Sequence, residues 1–387
     1  MQLGEPSWMN EEHAVVRDSV QKFIAAEIAP HYEAWEEAGI VPRDIWNKLG
    51  EQGLLSPDMP EKYGGAGGNF QHLAVVIAEF ARHGYASFAG SLLGVHSGII
   101  NHYILNNGSA EQKSRYLPSM ASGEMVAAIA MTEPGAGSDL QGVTTTAKRD
   151  GNGYILNGAK TFISNGQHCD IVLVIAKTDS TVAGSKGISL LFVEKGAAGF
   201  SRGRNLEKIG LHSADTSELF FDDVRVEGDA VLGVEHGGFG VLMNELPRER
   251  LTLAIGSLGA AEGALQWTID YIQERKVFGQ PVGKYQNTRF KIAEMMTEIR
   301  SLRAFIDDCT RLLSAGDLDT VTASMAKLKA TELQGDIIDE CLQFFGGYGY
   351  MREFPISRAF VDARVQRIYG GTSEVMKEII ARDILGR

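Results

Sequence analysis

The stretch Ala130-Met-Thr-Glu-Pro-Gly-Ala-Gly-Ser-Asp139 decides how this chain is read. It gathers hydroxyls (Thr132, Ser138), small residues and unencumbered backbone donors. Such a composition lets a planar cofactor lie close against main chain. It does not read as a nucleotide fingerprint. In Gly135-Ala-Gly137-Ser-Asp-Leu140 the third glycine position is Leu140, which disfavours a Rossmann dinucleotide site.

The stretch lies just past a change of texture near Glu124. Upstream, apolar residues recur at helical spacing over residues 11–29, ending at Pro30, and over 43–52, closed by Gly53. The pattern repeats over 71–82 and 92–105. Between helices, Tyr63-Gly-Gly-Ala-Gly-Gly68 reads equally as a plain turn or as a loop at a pocket mouth. Downstream, Tyr154-Ile-Leu156, Ile171-Val-Leu-Val-Ile175, Ile188-Ser-Leu-Leu-Phe-Val193 and Glu218-Leu-Phe-Phe221 are short β-branched or aromatic runs separated by turn residues. Helical periodicity returns over 239–273, 285–313, 318–345 and 372–385, long segments with short connections that suggest a bundle. The expected division is a helical domain over 1–123, a small β-domain over 124–236 and a helical domain over 237–387.

Composition excludes several classes. A net charge of −12 over 387 residues argues against a nucleic-acid partner. No apolar window is long enough to span a membrane. Three widely spaced cysteines, Cys169, Cys309 and Cys341, fit neither a zinc cluster nor a disulfide framework and read as reduced thiols. The histidines show no metal-ligand spacing, so no metal is expected. The N-terminal residues carry no secretory pattern, and the early acids Glu5, Glu11 and Glu12 are unlike a transit peptide. A cytoplasmic protein is the expectation.

The opening motif resembles the flavin and thioester loop of the acyl-CoA dehydrogenase family. Four more stretches resemble further motifs of that family, in its order: Lys160-Thr-Phe-Ile-Ser-Asn-Gly166, Arg275-Lys-Val-Phe-Gly279, Gln343-Phe-Phe-Gly-Gly347 and Ile368-Tyr-Gly-Gly-Thr-Ser-Glu374. Together they are far more specific than any one alone. The resemblance implies a multidomain α+β fold: an N-terminal all-α domain, a central β-barrel domain and a C-terminal four-helix bundle. It implies FAD as cofactor and oxidation of a fatty acyl-CoA to the trans-2-enoyl-CoA, with medium, long or branched chains all open. An electron-transferring flavoprotein would take the electrons, and the assembly would be a homotetramer.

By resemblance, Ile129, Met131, Thr132, Ser138, Phe162 and Ser164 face the flavin, with Phe162 where the family often has Trp. Arg275 and Phe278 would reach the FAD of a neighbouring subunit, with Gln286, Gln343, Gly346, Gly347, Thr372 and Glu374 as further cofactor contacts. Arginine suits a diphosphate because its planar fork donates two bonds at once. Ser138, Arg250, Gly370 and Gly371 would contact the substrate.

The catalytic base departs from the commoner pattern. Many family members carry Glu directly after the tyrosine of Tyr-Glu-Gly-Thr, where this chain has Gly370. A subgroup that includes the isovaleryl and long-chain enzymes keeps the carboxylate on the first bundle helix, before an Arg. Glu245-Leu-Pro-Arg-Glu-Arg-Leu251 resembles that segment, so the base carries over to Glu249, with Glu245 the next carboxylate. Burial is expected to raise its pKa toward working pH. The Gly370 N–H would hold the developing charge on the thioester oxygen. Arg367 stands where Pro is expected. Two other readings stay open: a redox-silent thioester-binding relative and an acyl-CoA oxidase.

Overall fold

The computed structural model describes residues 5–182 and 184–386. Helix α1 (Glu11–Phe23) begins where Asn10 accepts the His13 N–H at 3.1 Å and His13 Nδ1 accepts the Asn10 N–H at 3.3 Å. This reciprocal cap satisfies two otherwise orphaned donors. A wider turn, Ile24–Ile28, completes the segment expected over 11–29. Next come α2 (Tyr32–Ala38), α3 (Asp44–Glu51) and α4 (Phe70–Arg82).

The helix expected over 92–105 is present but irregular. Wide π-turns at Ser87–Leu92 and His96–Ile100 flank α5 (Leu93–Val95) and lead into α6 (Asn101–Asn107). Such bulges shift which side chains face inward and recur at functional sites. Helix α7 (Ala110–Ala121) lies outside the expected helices and carries Pro118 inside it. Its signal was in the sequence all the same: Ser109 and Gln112 cap each other, at 3.2 and 3.0 Å.

The middle of the chain forms one curled seven-stranded sheet. Its strands are β1 (Ala127–Ala130), β2 (Thr146–Asp150), β3 (Gly153–Ser164), β4 (Ile171–Lys177), β5 (Ile188–Glu194), β6 (Phe200–Asn205) and β7 (Thr216–Val226). The order is β1-β4-β2-β3-β7-β6, with β5 also paired to β4. All four expected strands are there. Polar β2 (Thr-Ala-Lys-Arg-Asp) and β6 (Phe-Ser-Arg-Gly-Arg-Asn) were missed because neither presents an apolar run. Strand β3 breaks register against β7 between Lys160 and Ile163, which turns Phe162 out of the ladder.

The C-terminal part holds α8 (Gly238–Glu274), a hairpin of β8 (Lys276–Val277) and β9 (Gln280–Pro281), α9 (Gln286–Ala315), α10 (Thr320–Phe345), α11 (Pro355–Ala363) and α12 (Ser373–Leu385). Helix α8 passes through Pro247 without ending. It lies at the centre of the molecule and packs on both α10 and α4. The approach to α4 needs glycine: a Cβ on Gly263 would sit 2.0 Å from the Arg82 carbonyl oxygen. One apolar core joins the N-terminal helices to the bundle; another ties α6 and α7 to the sheet. All three cysteines are buried and unpaired. Among the described residues no helix is long and apolar enough to cross a membrane.

Candidate active site

The opening motif forms a tight turn. The Glu133 and Ala136 backbones exchange hydrogen bonds at 2.9 and 3.1 Å around Pro134 and Gly135. The Glu133 side chain turns inward, where it accepts from the Thr144 N–H and Oγ1 at 2.6 Å, from the Thr145 N–H at 2.9 Å and from Lys160 Nζ at 2.9 Å. Burial would raise this carboxyl, but Thr144, Thr145 and Lys160 hold it at about 2. Lys160 Nζ also donates to the Met131 carbonyl at 3.0 Å, and the Thr161 N–H donates to the Thr132 carbonyl at 2.9 Å. Glu133 and Lys160 therefore lock Met131 and Thr132 onto the stretch carrying Phe162 and Ser164. Residue type alone does not mark either as a site residue, although both lie within the 130–139 and 160–166 stretches.

Around this lock, Ile129 pairs with Leu173 in the β1–β4 register and Ser164 with Thr216 in β7. Ser138 is exposed in the loop that follows. Phe162, at φ +59°, is 67% exposed. An aromatic face left this open is suited to lie against another flat ring.

A second set gathers at the far end of α8. Arg275 caps that helix, and with Gln343, Gly346 and Gly347 it lines an open groove of about 490 Å³. Arg275 has no carboxylate partner among the described residues; its guanidinium lies 5.7 Å from the Tyr348 ring. Phe278, at the hairpin tip with φ +47°, is 98% exposed. Gln286 opens α9 and is also exposed. Glycine matters at 346 and 347, where a Cβ would meet only open space, so a ligand can approach the backbone directly.

The third set surrounds Glu249. This carboxyl is buried on α8 and accepts a hydrogen bond from Tyr103 Oη at 2.6 Å. Burial pushes its pKa up to about 7; Tyr103 and Arg250 oppose the shift and Glu245 adds to it. Glu245 is buried one turn earlier but is held by Asn106 and Asn107, whose amides donate at 3.0 Å. Of the two carboxylates, Glu249 keeps the freer oxygen. Tyr103 is not legible from the sequence, because a lone helical tyrosine carries no motif.

One turn beyond Glu249, Leu253 abuts the glycine loop. Gly370 and Gly371 have φ +62° and +95°, and a Cβ on Gly370 would lie 2.3 Å from Leu253 Cδ1. A glutamate at 370 would thus be strained in backbone and crowded in side chain. Thr372 caps α12 by accepting the Val375 N–H at 3.2 Å, and Glu374 sits exposed in its first turn. Arg250 turns away from Glu249: its Nη1 donates to Ser324 Oγ at 3.0 Å. Lys327, wholly buried, donates from Nζ to the Gly371 carbonyl at 2.6 Å. Burial lowers its pKa to about 8, helped by the charge of Arg250.

Arg367 is explained by an ion pair to Glu332 at 3.3 Å. The histidines read as structural include His96, whose Nδ1 accepts the Ala127 N–H while Nε2 donates to the Met120 carbonyl. No group of side chains suited to a metal ion occurs among the described residues.

Comparison with known proteins agrees with this layout. The acyl-CoA dehydrogenase N-terminal domain matches residues 10–124, the middle domain 128–224 and the C-terminal domain 236–385. The chain is 49% identical to the mitochondrial long-chain specific acyl-CoA dehydrogenase of Sus scrofa, over 99% of this chain and 89% of that one. It superposes on an acyl-CoA dehydrogenase from Geobacillus kaustophilus with a TM-score of 0.94 at 44% identity, covering 98% of this chain and 100% of that one. A glutaryl-CoA dehydrogenase from Mycobacterium smegmatis in complex with FADH2 gives 0.91 at 30%, covering 98% and 96%. The chain belongs to the acyl-CoA dehydrogenase family, FAD-using oxidoreductases that act on the CH–CH bond of acyl-CoA thioesters.

Proposed function

We propose that the protein oxidises the α,β-bond of a straight, medium- to long-chain acyl-CoA, with Glu249 as the base. One observation carries this reading. A buried, largely uncommitted carboxyl stands on the same face of α8 as a narrow cleft, one turn from the residue that abuts the Gly370 loop. The described residues fit FAD: an exposed ring at Phe162, an unpaired Arg275, and a groove floored by glycines with open space above them. Met131, Thr132, Ser138, Phe162 and Ser164 would hold the flavin end, with Thr372 and Glu374 nearby. Arg275, Phe278, Gln286, Gln343, Gly346 and Gly347 would hold the diphosphate and adenine end. When bound, FAD accepts the hydride that leaves the β-carbon.

The chain's own residues do the rest. Glu249 takes the α-proton, its burial having matched its proton affinity to near-neutral pH. The Gly370 N–H supports negative charge on the thioester oxygen. The electron pair of the α-C–H bond becomes the π bond, while the β-C–H pair leaves with the hydride, giving the trans-2-enoyl product. Anaerobic mixing of the yellow protein with saturated acyl-CoAs of increasing length tests the reading: bleaching supports it, and a colourless or unresponsive protein overturns it.

The cleft addresses chain length. Glu249, Leu253, Gly256 and Ala260 share one face of α8, and the last three line the cleft with Ala81 and Gly90. At 1.5 Å per residue, Glu249 to Ala260 covers roughly 16 Å. An extended chain spans about 3.6 Å per three bonds, so a chain of roughly a dozen carbons would run the length of this face once the cleft, about 10 Å³ in this structure, opens to admit it. Ala260→Leu should cut kcat/KM for long chains about tenfold or more while sparing short ones. A uniform loss at every length would instead indicate general misfolding.

The exposed Phe278 and the unpaired Arg275 lie on one edge of the bundle. In this reading a second copy covers that edge, Arg275 reaches the partner's FAD, and the assembly is a homotetramer. Arg275→Ala should weaken FAD retention by about 1.5–3 kcal/mol, the scale of a charge-assisted contact. A flavin-loaded monomer on sedimentation would sink the cross-subunit part. Electrons would leave to an electron-transferring flavoprotein, and rapid reoxidation by air with product bound would mark an oxidase. The unpaired buried thiols accord with a cytoplasmic setting.

A further inference from the structure

Helix α10 holds the glycine loop at three points. Glu332 accepts Arg367 on the upstream side of the loop and Ser373 on the downstream side. Between them, Lys327 donates to the Gly371 carbonyl. Lys327 is wholly buried and forms no ion pair among the described residues, although Glu332 and Glu374 act on it from further away. Arg250, buried nearby on α8, is in the same state: its Nη1 reaches only the Ser324 hydroxyl and its Nε has no partner. Two cations thus share one water-poor region, with the carboxylates that act on them, Glu332 and Glu374 on Lys327 and Glu249 on Arg250, beyond ion-pair distance. Burial of this kind is unfavourable unless negative charge arises beside it.

The loop supplies the place. Gly370 and Gly371 sit at positive φ, a conformation that their backbone leaves and re-enters easily unless it is held. An ammonium on the Gly371 carbonyl fixes the orientation of that peptide and, through it, of the neighbouring Gly370.

We propose that Lys327 is a positioning residue for dehydrogenation, holding the Gly370–Gly371 backbone and, with Arg250, placing positive charge behind it. That charge favours the electron-rich thioester oxygen formed as the α-proton departs. This role rests on the assignment of Gly370 to the thioester oxygen.

The test compares wild type, Lys327→Met and Lys327→Gln in the FAD-loaded protein. Its probe is a 3-thiaacyl-CoA, in which sulfur replaces the β-carbon. Such a ligand loses its α-proton but gives up no hydride, so its deprotonation reads out as a long-wavelength band without turnover. Lys327→Met should raise the pH midpoint of that band by about one to two units, each unit a tenfold change in the equilibrium. With normal substrate, kcat should fall about 10- to 100-fold at a KM changed by less than about threefold. A crystal structure of the variant should show the Gly371 carbonyl turned from its wild-type position. If Lys327→Met does not fold, Lys327→Gln keeps a donor and drops the charge, and the same rise in midpoint is expected. A folded, FAD-replete variant with an unshifted midpoint and normal kcat overturns the role of Lys327. Wild type that shows neither the band nor flavin reduction would overturn the dehydrogenase reading itself, so the two failures are distinguishable.

Discussion

Glu249→Gln is expected to keep the fold and the flavin and to lose turnover by about 10²–10⁴-fold, the usual effect of removing a general base. The amide is nearly isosteric, and its oxygen can still accept from Tyr103 Oη. Thioester binding should therefore survive, which separates the loss of chemistry from the loss of the site. In wild type, flavin reduction should rise with pH through about 7 as Glu249 deprotonates. The stability effect runs the opposite way. A carboxyl whose folded pKa lies above its unfolded value favours the folded state at low pH, and that contribution is lost as pH climbs from about 4.5 to about 7. A shift of this size corresponds to roughly 3 kcal/mol. Glu249→Gln should thus melt near wild type at pH 5 and above it at pH 8. Near-normal flavin reduction by substrate in the variant would transfer the role to Glu245.

Lys160→Met should be the most damaging single change in the β-domain. It removes one partner of a fully buried ion pair and leaves the Glu133 carboxylate on Thr144 and Thr145 alone. Breaking such a pair costs about 3–5 kcal/mol, because the remaining charge stays buried. The same change frees the Met131 carbonyl, so the flavin loop should loosen along with the domain. We expect a lower melting temperature and protein purified with little FAD. A double change, Lys160→Met with Glu133→Gln, should recover part of the stability by removing the stranded charge. If the single variant melts and binds FAD as wild type does, the lock has been misread.

Local patterns carried much of the architecture. The four long helical segments are α8, α9, α10 and α12, each found close to its expected bounds, and the four apolar runs are β3, β4, β5 and β7. These were legible because burying an apolar stripe needs a period, and a period survives in one dimension. Strands β2 and β6 were not legible, because their residues are polar and their place in the sheet comes from neighbours. Helix α7 lies outside the expected helices and carries Pro118, which local rules read as a break and which tertiary packing tolerates.

The motifs fare similarly. The family resemblance assigned the base to Glu249, against the carboxylate missing at Gly370, and marked Arg275 for a phosphate. It could not show that Tyr103 would meet Glu249 from 146 residues away, that Lys160 would lock onto Glu133, or that Lys327 would reach Gly371. It also read Arg250 as a substrate contact, whereas in the fold that side chain points to Ser324. Residue type and spacing determine what chemistry a side chain can do. Its proton affinity, its partners and the charges around it depend on burial and on contacts between distant segments, and only the folded chain decides those.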